Sequence, residues 1–561
     1  MDTSALKQLT ITDVKFLPIV KEYARRINLM ETINHVVGTQ MELQPGPVVL
    51  AMVLDTLSGR SPLYRLIDFF EEKDTELLLG ESIPAERFTD HNVGRALDKI
   101  FETGTQKIFS QLSQNAIGGF KINTEKVHYD TTSVSVFGDY DLVDPPFEIT
   151  FGHSKAKRPD LKQFLIEMLC VERDIPLFGR TRDGNASDKT LNNELLGNIS
   201  KHMARHGLSQ GAFVYVADSA FVTENNLEKA ETTKFLSRLP ASYKECGRVI
   251  QDVVRQDDWT QVGMITETQA TEKRPAAYYK VCDSTVELYG TSYRAIVVHS
   301  SAHDKRRQKR IERLLKNNKK KLEQACKKIT EPVYFCEADA LAAAKKLSGL
   351  PKKSDCYLIE ASIKEKPKYS PGRPKTGVPR IPKSFEFHLE IKIIEDEDKL
   401  EKLRYEAGCF VLISNLSTDA DNLKVTRKIE WSPEKLLKLY KNQSGIERNF
   451  GFLKDPVIIN SVFLKKATRI EVLGMVLLIA LLIWRLMERS MRLYLDSKDI
   501  TITGWVRRKT KKPTSFMMST KFVSVLVVKN NRDRQLARPL KPVQHEYLKA
   551  LGVSPENFVV P

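Results

Sequence analysis

The sequence predicts an α/β protein that begins with a helical region and carries a long β-rich insertion in its second half. Three observations favour this fold class. Apolar residues recur at helical spacing up to about residue 120, strand-like and helical segments alternate from there to about 240, and irregular strand-like patterns follow to about 425. A chain of 561 residues is long enough for several domains. The predicted domains are 1–120, 121–240, 241–425, 426–490 and 491–561.

The first 120 residues are predicted to form a set of short helices. Helical spacing of apolar residues is clear in 48–57 and 63–70, and proline-containing breaks precede both segments. Thr89 or Asp90 is a candidate N-cap for the helix that follows. Such a helical domain would bind DNA ends or a second subunit, or it would serve for packing alone.

The second region, 121–240, alternates strands and helices. The predicted strands, which are rich in β-branched, aromatic and aliphatic residues, are 126–137, 147–151, 163–171 and 211–217. The last of them is continuously apolar, as expected of a central strand that is buried on both faces, and it ends at Asp218. A helix is predicted over 191–206.

The β-rich insertion, 241–425, contains a strongly basic segment. Residues 385–393 alternate as a half-solvated strand does, and 409–414 indicate a buried one. Between residues 305 and 328 there are twelve Lys or Arg and two Glu, a net charge of +10. The thin apolar stripe of this segment predicts a helix. Its basic surface is either an ordinary solvated face or an arm that contacts phosphates.

Composition narrows the classes of partner and compartment. The chain has 88 Lys plus Arg and 71 Asp plus Glu, which gives a net charge of +17 and favours a polyanionic partner. A basic enzyme without nucleic acid is the alternative. Seven widely spaced cysteines argue against a disulfide framework and predict a reducing cytoplasm. The longest apolar run, Val472–Trp484, is too short for a bilayer and predicts a buried core helix rather than a membrane span.

Several common catalytic motifs are missing from the sequence. There is no phosphate-binding loop of the G-x-x-x-x-G-K-[ST] type, so use of a nucleotide cofactor is not expected. Carboxylates are the better candidates for chemistry. Asp130 lies within a predicted strand and Asp218 ends another, and active sites of open α/β sheets lie at the carboxyl ends of strands. For each aspartate taken alone, a helix cap or a buried ion pair is the better explanation.

A third candidate acid lies on a predicted helix that begins at Ser432-Pro433 and ends before Pro456. Tyr440, Glu447 and Lys454 are spaced seven residues apart, so all three would project from one face of that helix. A hydroxyl, a carboxylate and an ammonium on one face would approach a metal ion and a phosphate together. An amphipathic surface helix is the alternative interpretation.

At this point the sequence resembles the DDE transposases of bacterial insertion sequences, in the group with a Tyr-x2-Arg-x3-Glu-x6-Lys motif. Tyr440, Glu447 and Lys454 match this motif, whereas Gln443 replaces its arginine. Other stretches that resemble the family, in chain order, are Asp130–Ser133, Gly152–Lys155, Arg158–Leu161, Asn185–Asp188 and Val216–Phe221. The intervals of 88 residues from Asp130 to Asp218 and 229 from Asp218 to Glu447 also agree with the family, which carries a β-rich insertion in the second interval.

The resemblance implies a ribonuclease-H-like catalytic core interrupted by the insertion. Asp130, Asp218 and Glu447 would be the catalytic acids and would hold two Mg²⁺ ions, for which Mn²⁺ would substitute. The expected activity is cut-and-paste transposition: metal-dependent cleavage at the element ends, a hairpin step for the second strand, and joining of the 3′ ends to target DNA. The side chains expected to contact DNA are those of Tyr440, Gln443, Arg448, Lys454, Lys155 and Arg158. Trp431 is a candidate for holding a flipped base, although packing under the helix explains it as well.

The resemblance also implies partners and a location. Double-stranded DNA is the expected partner, both as element ends and as target, and two subunits would act together in the synaptic complex. The protein would work in the cytoplasm, at the nucleoid. Two alternatives remain open: a ribonuclease-H-like nuclease that cuts without joining, and an inactive or domesticated DNA-binding derivative of a transposase.

Overall fold

The computed structural model describes most of the chain as two compact units. The described residues are 9–59, 65–137, 140, 146–153, 158–172, 174–205, 212–265, 276–351, 356–372, 379–416, 431–442, 444–455, 464, 466–531 and 533–561. The first unit comprises residues 1–237, 414–431 and 439–561, and the second comprises 238–413 and 432–438.

The described residues form eighteen α-helices and sixteen strands. The helices are α1 (Leu17–Arg26), α2 (Leu29–Val37), α3 (Pro45–Leu57), α4 (Leu66–Glu71), α5 (Thr75–Leu79), α6 (Asp90–Thr103), α7 (Thr105–Phe120), α8 (Asp188–Arg205), α9 (Glu224–Lys229), α10 (Lys244–Gln256), α11 (Ser301–Thr330), α12 (Glu337–Ser348), α13 (Glu397–Ala407), α14 (Pro433–Lys441), α15 (Ser444–Leu453), α16 (Ala467–Lys498), α17 (Ser515–Lys521) and α18 (Pro542–Leu551). The strands are β1 (Leu9–Asp13), β2 (Lys126–Ser135), β3 (Gln163–Val171), β4 (Ile175–Arg182), β5 (Val214–Ala217), β6 (Lys234–Arg238), β7 (Thr260–Met264), β8 (Tyr278–Leu288), β9 (Thr291–Ser300), β10 (Tyr357–Lys368), β11 (Ser384–Glu395), β12 (Cys409–Ser414), β13 (Ile502–Thr503), β14 (Lys509–Thr510), β15 (Leu526–Asn530) and β16 (Asp533–Leu536).

The first unit contains a mixed sheet in the order β4-β3-β2-β5-β6. Strand β3 is antiparallel to both β2 and β4, whereas β5 runs parallel to both β2 and β6. Strand β3 is buried along its whole length, as its nearly unbroken apolar sequence requires. The sheet therefore joins an antiparallel meander to a parallel pair, with β2 as the common strand.

Helices cover both faces of this sheet. On one face, the Tyr215 hydroxyl donates to Asn192 Oδ1 at 2.7 Å and the Thr131 hydroxyl donates to Asp188, so α8 packs there. On the opposite face, α15 contacts β2 and α16 contacts β4. The result is a layer of helices on each side of the strands, which is how a sheet buries two apolar surfaces.

Helix α16 is the central helix of the first unit. It contacts α1, α3, α6, α7, α15, α17 and α18 as well as β4. In the described part of the chain it is the one helix that is long and apolar enough to cross a membrane, and 94% of its most apolar window is buried inside the protein. This confirms that Val472–Trp484 belongs to a buried core helix, which extends well beyond the apolar run at both ends.

The two ends of the described chain belong to the same unit. Strand β1 pairs with β15, and β15 with β16, in a small antiparallel sheet. Asp74, which caps the start of α5, is ion-paired with Arg534 of β16 at 2.6 Å, and both side chains are buried. The helical N-terminal residues thus share their packing with the C-terminal segment.

The second unit contains strands in the order β12-β9-β8-β7 and a separate hairpin of β10 and β11. Helix α11 is 30 residues long and confirms the helix predicted over the basic segment. Its C-terminal half packs with α12 and the hairpin around a small apolar core that includes Leu322, Cys326, Leu347 and Tyr357.

Two of the predicted elements are wrong. Residues 147–151 form no strand: Thr150 makes one isolated bridge with Gln163, where the chain reaches the start of β3. The continuous helix predicted over 432–454 is divided into α14 and α15, with the Gly445 amide donating to the Asn442 carbonyl at the junction. Serine and glycine at the start of α15 weaken helix propagation at this point.

Candidate active site

The structure brings Asp130 and Asp218 to neighbouring positions in the sheet of the first unit. Strands β2 and β5 are parallel, with His128 paired to Val216. If this register is extended by two residues, to one residue past the end of β5, Asp130 stands opposite Asp218. Because side chains two residues apart share a face, both carboxylates lie on the same side of adjacent strands that are about 4.8 Å apart. Both aspartates are partly exposed.

Local hydrogen bonds orient the two aspartates. Asp130 Oδ1 accepts from the Thr131 amide at 2.7 Å, and Asp218 Oδ1 accepts from the Ala220 amide at 3.0 Å. The second bond caps the short 3₁₀ turn that follows β5. Burial raises the pKa of the Tyr215 phenol well above its usual value, and the negative charges of Asp218, Glu167 and Asp130 raise it further. This tyrosine therefore remains protonated, on the face of the sheet opposite the two aspartates.

Helix α15, which carries Glu447, lies on the face of the sheet that carries Asp130. Asn449 of this helix reaches the sheet, where its side-chain amide lies 3.3 Å from Cys170 Sγ. Cys170 is paired with His128, which shares the face of Asp130. Glu447 itself is exposed on α15.

Asn449 is fully buried and fixes α15 through two further hydrogen bonds. Its side-chain amide donates to the Asp174 carbonyl at 2.8 Å, and its Oδ1 accepts from Arg485 Nε at 2.6 Å. Arg485 is itself buried in α16 and ion-paired with Glu488 at 3.1 Å. The helix is thus connected both to the β3–β4 turn and to the central helix.

Asp174 also fixes the beginning of α15. Its carboxylate lies directly against Gly445, where an added Cβ would come within 1.4 Å of Asp174 Oδ1. Arg448 donates to Asp174 Oδ2 at 2.8 Å. A carboxylate near the first turn of a helix is favourable because that end of the helix dipole is positive. This contact explains why glycine stands at 445.

The residues predicted to contact DNA differ in their exposure to solvent and in their position in the fold. Tyr440 is partly buried in the last turn of α14, and Lys454 follows α15 directly. Arg448 is 55% exposed despite its bond to Asp174, and Arg158 is exposed and paired with Asp160 at 2.7 Å. Lys155 and Gln443 lie outside the described residues. Trp431 is only 3% exposed, in agreement with the packing alternative.

Gly152, which begins one of the stretches that resemble the transposase family, packs against Gly184, which directly precedes another. A Cβ on Gly152 would come within 2.1 Å of the Gly184 carbonyl oxygen, and one on Gly184 would meet the Gln163 carbonyl. The Gln163 side chain donates to that same Gly184 oxygen at 2.7 Å. Glycine at both positions allows the two segments to meet at the start of β3.

The three acids do not form a preassembled metal cage. Within the described ranges, no group of three or more His, Cys, Asp or Glu side chains lies close enough together to hold a metal ion. The chemistry of the Asp130 and Asp218 carboxylates fits a hard cation such as Mg²⁺, which prefers oxygen ligands and retains several waters. These two aspartates are two of the three ligands that the sequence predicts.

Sequence reasoning assigned no role to Asn449, Asp174 or Arg485. The signal that was available is the interruption of an apolar helix by Arg485, Glu488 and Arg489, since buried charges need partners. The identity of those partners depends on tertiary contacts. Arg485 donates to Asn449 Oδ1, and Arg489 donates to Glu172 Oε2 at 2.9 Å.

Residues 9–114 match a domain of unknown function, DUF4277. This domain is found in transposase-like proteins. The match covers β1 and most of the N-terminal helices of the first unit. No curated protein matches the chain.

Proposed function

We propose that this protein is a DDE DNA transposase that cleaves element ends and joins them to target DNA. The observation that carries the proposal is the position of Asp130 opposite Asp218 on parallel strands, with the helix of Glu447 packed on the same face of the sheet. Both carboxylates are partly exposed although the strands around them are mostly buried, which favours a functional explanation for the pair.

The sheet topology supports a ribonuclease-H-like core. Its order β4-β3-β2-β5-β6, with three antiparallel strands continued by two parallel ones, is the arrangement expected of such a core. In that arrangement the first and fourth strands in chain order carry the two aspartates, and a later helix carries the third acid. Here β2, β5 and α15 correspond to those elements.

The residues have separable roles in the proposed reaction. Bound Mg²⁺ ions would activate the attacking water or 3′-hydroxyl and stabilise the leaving oxygen. Asp130 and Asp218 would hold these ions, and Glu447 would complete the ligand set from α15. Lys454 and Tyr440 would contact a phosphate next to the cleaved bond. Asn449 and Asp174 would hold α15 at the distance from the sheet that Glu447 requires.

The match of residues 9–114 to a domain found in transposase-like proteins supports the same proposal. The net charge of +17 suits a protein that binds duplex DNA at both element ends and target. We propose that two subunits act together on the two ends, in the cytoplasm, without a nucleotide cofactor.

A strand-transfer assay tests the proposed function. Purified protein is incubated with a 3′-labelled duplex of the element end, a target plasmid and Mg²⁺. Covalent joining of the label to the plasmid is the expected result, and Asp218→Asn is expected to lower it more than about 100-fold while leaving duplex binding unchanged.

Two other outcomes would replace the proposal, and a third would refute the role assigned to Asp218. Cleavage without joining would indicate a nuclease with the same core. Binding with neither reaction would indicate an inactive derivative, for which Gln443→Arg is the next variant to assay. Strand transfer by Asp218→Asn at the rate of the unsubstituted protein would refute the assignment of this aspartate.

A further inference from the structure

Helix α11 of the second unit has two chemically opposite faces. One face is apolar and includes Ile311, Leu322 and Cys326, which are buried; the last two belong to the small core with α12 and the β10–β11 hairpin. The other face is basic. Since the apolar face already accounts for the packing of the helix, the basic face is not needed for the fold.

The basic residues of that face lie in one line. At 100° per residue, positions 309, 313, 316, 320 and 327 fall within about 60° of one another, on the side opposite Ile311 and Leu322. At 1.5 Å per residue, the line from Lys309 to Lys327 is about 27 Å long. We call Lys309, Arg313, Lys316, Lys320 and Lys327 the α11 stripe.

The α11 stripe is open to solvent and poorly neutralised by the protein itself. Lys309, Arg313, Lys316 and Lys320 are exposed, and none of them has an acidic partner within 4.0 Å in the described part of the chain. Lys327 is 73% exposed and pairs with Glu331 at 3.4 Å. Five cations along one line repel each other, so the stripe gains free energy from a partner with regularly spaced negative charge.

We propose that the α11 stripe binds the sugar-phosphate backbone of duplex DNA without reading its sequence. A straight, 27 Å row of cations suits a stiff duplex, which presents phosphates at regular intervals over that length. Contacts from lysine and arginine to phosphates position a protein on DNA but carry no sequence information. The inference rests on the proposed function for the identity of the polyanion and adds a binding surface far along the chain from the three acids.

The test compares two triple variants of the full-length protein. In the first, Arg313, Lys316 and Lys320 of the stripe are replaced by glutamine. In the second, the matched control, Lys319, Lys321 and Lys328 are replaced by glutamine. These control lysines belong to the same helix and remove the same charge, but each lies at least about 60° outside the stripe. Circular dichroism and the thermal midpoint are expected to be unchanged in both.

Fluorescence anisotropy with a labelled 30-bp duplex of arbitrary sequence, over a series of KCl concentrations, gives the salt dependence of binding. For the stripe variant, the slope of log K against log [KCl] is expected to be shallower by about 2.7, because each phosphate contact contributes about 0.9. Its affinity is expected to fall by about tenfold or more at 100 mM KCl. The control variant is expected to keep the slope of the unsubstituted protein.

The outcomes separate this inference from the proposed function. If both triple variants lose the same amount of affinity and salt slope, the proposed role of the α11 stripe is refuted, because the loss then reflects total charge. An unchanged slope in the stripe variant, with tight binding by the unsubstituted protein, would overturn it as well and leave the proposed function untouched. If the stripe variant has the shallower salt slope but the unsubstituted protein performs no strand transfer, the proposed function is refuted and the DNA-binding role of the stripe stands.

Discussion

Replacing Asn449 with alanine tests how the protein holds the helix that carries Glu447. Asn449 is completely buried, and its amide links the Asp174 carbonyl, at 2.8 Å, to Arg485 Nε, at 2.6 Å. Alanine removes both hydrogen bonds and provides no replacement. The Asp174 carbonyl and the Arg485 guanidinium would then each lose a partner in a site that is closed to water.

The expected loss of stability follows from the two groups that would be left without a partner. A buried donor or acceptor left without a partner costs about 1–3 kcal/mol, and more when it is charged. Asn449→Ala should therefore lower the free energy of unfolding by about 2–5 kcal/mol. Because α15 is held on the sheet by the same bonds, the proposed DNA cleavage activity should fall as well, under conditions in which the variant remains folded.

Urea denaturation followed by tryptophan fluorescence measures this effect. Trp484 of α16 is well placed as a probe, since its ring centroid lies 5.8 Å from that of Phe452 on α15. Asn442→Ala is the matched control: this asparagine is exposed in the turn before α15, and its replacement should change the free energy of unfolding by less than about 0.5 kcal/mol. If Asn449→Ala is as stable and as active as the control, the anchoring role of Asn449 is refuted.

Two further predictions concern packing and charge in the first unit. Gly445→Ala should destabilise the protein by about 1–3 kcal/mol, because the added Cβ would overlap the Asp174 carboxylate. Gly451→Ala, in open space on the same helix, should stabilise the protein by about 0.5–1 kcal/mol. Thermal unfolding measures both variants, and equal midpoints would contradict the contact between Gly445 and Asp174. Arg534→Met should cost about 3–5 kcal/mol in urea denaturation, because it leaves the buried Asp74 carboxylate without its main partner, and a loss below 1 kcal/mol would contradict this. Burial raises the pKa of Asp74, but the hydrogen bond and charge of Arg534 outweigh burial and hold this pKa below its usual value. The contribution of the pair to stability is therefore complete above the usual pKa of an aspartate, about 4, and is lost as the pH falls through the lowered pKa. This loss should be missing from the acid unfolding curve of Arg534→Met.

Elements with a strong local pattern were predictable from the sequence. Strands β3 and β12 have the predicted bounds, and the capping by Thr89 of α6 is confirmed by the bond that Thr89 Oγ1 accepts from the Asn92 amide. Helix α11 is equally well defined by its charge and its thin apolar stripe. In each case the determinants lie within a few residues of one another.

Features that depend on distant residues were not predictable. The break between α14 and α15 is accompanied by the contact of Gly445 with Asp174, more than 250 residues earlier in the chain. The pairing of β1 with β15 likewise joins segments at opposite ends of the sequence. The sequence places Asp130 within one strand and Asp218 at the end of another, but the parallel register that makes them neighbours required the structure.

The most direct test of the central claim is metal-dependent cleavage by the unsubstituted protein, Glu447→Gln and Glu228→Gln. The substrate is a plasmid that carries the gene with its own flanking DNA, incubated with Mg²⁺ or with EDTA. Glu228, an exposed glutamate of α9, is the matched control. The proposal predicts release of a discrete fragment by the unsubstituted protein and by Glu228→Gln, in Mg²⁺ only, and none by Glu447→Gln. Release of the same fragment by Glu447→Gln, or in the presence of EDTA, would contradict it.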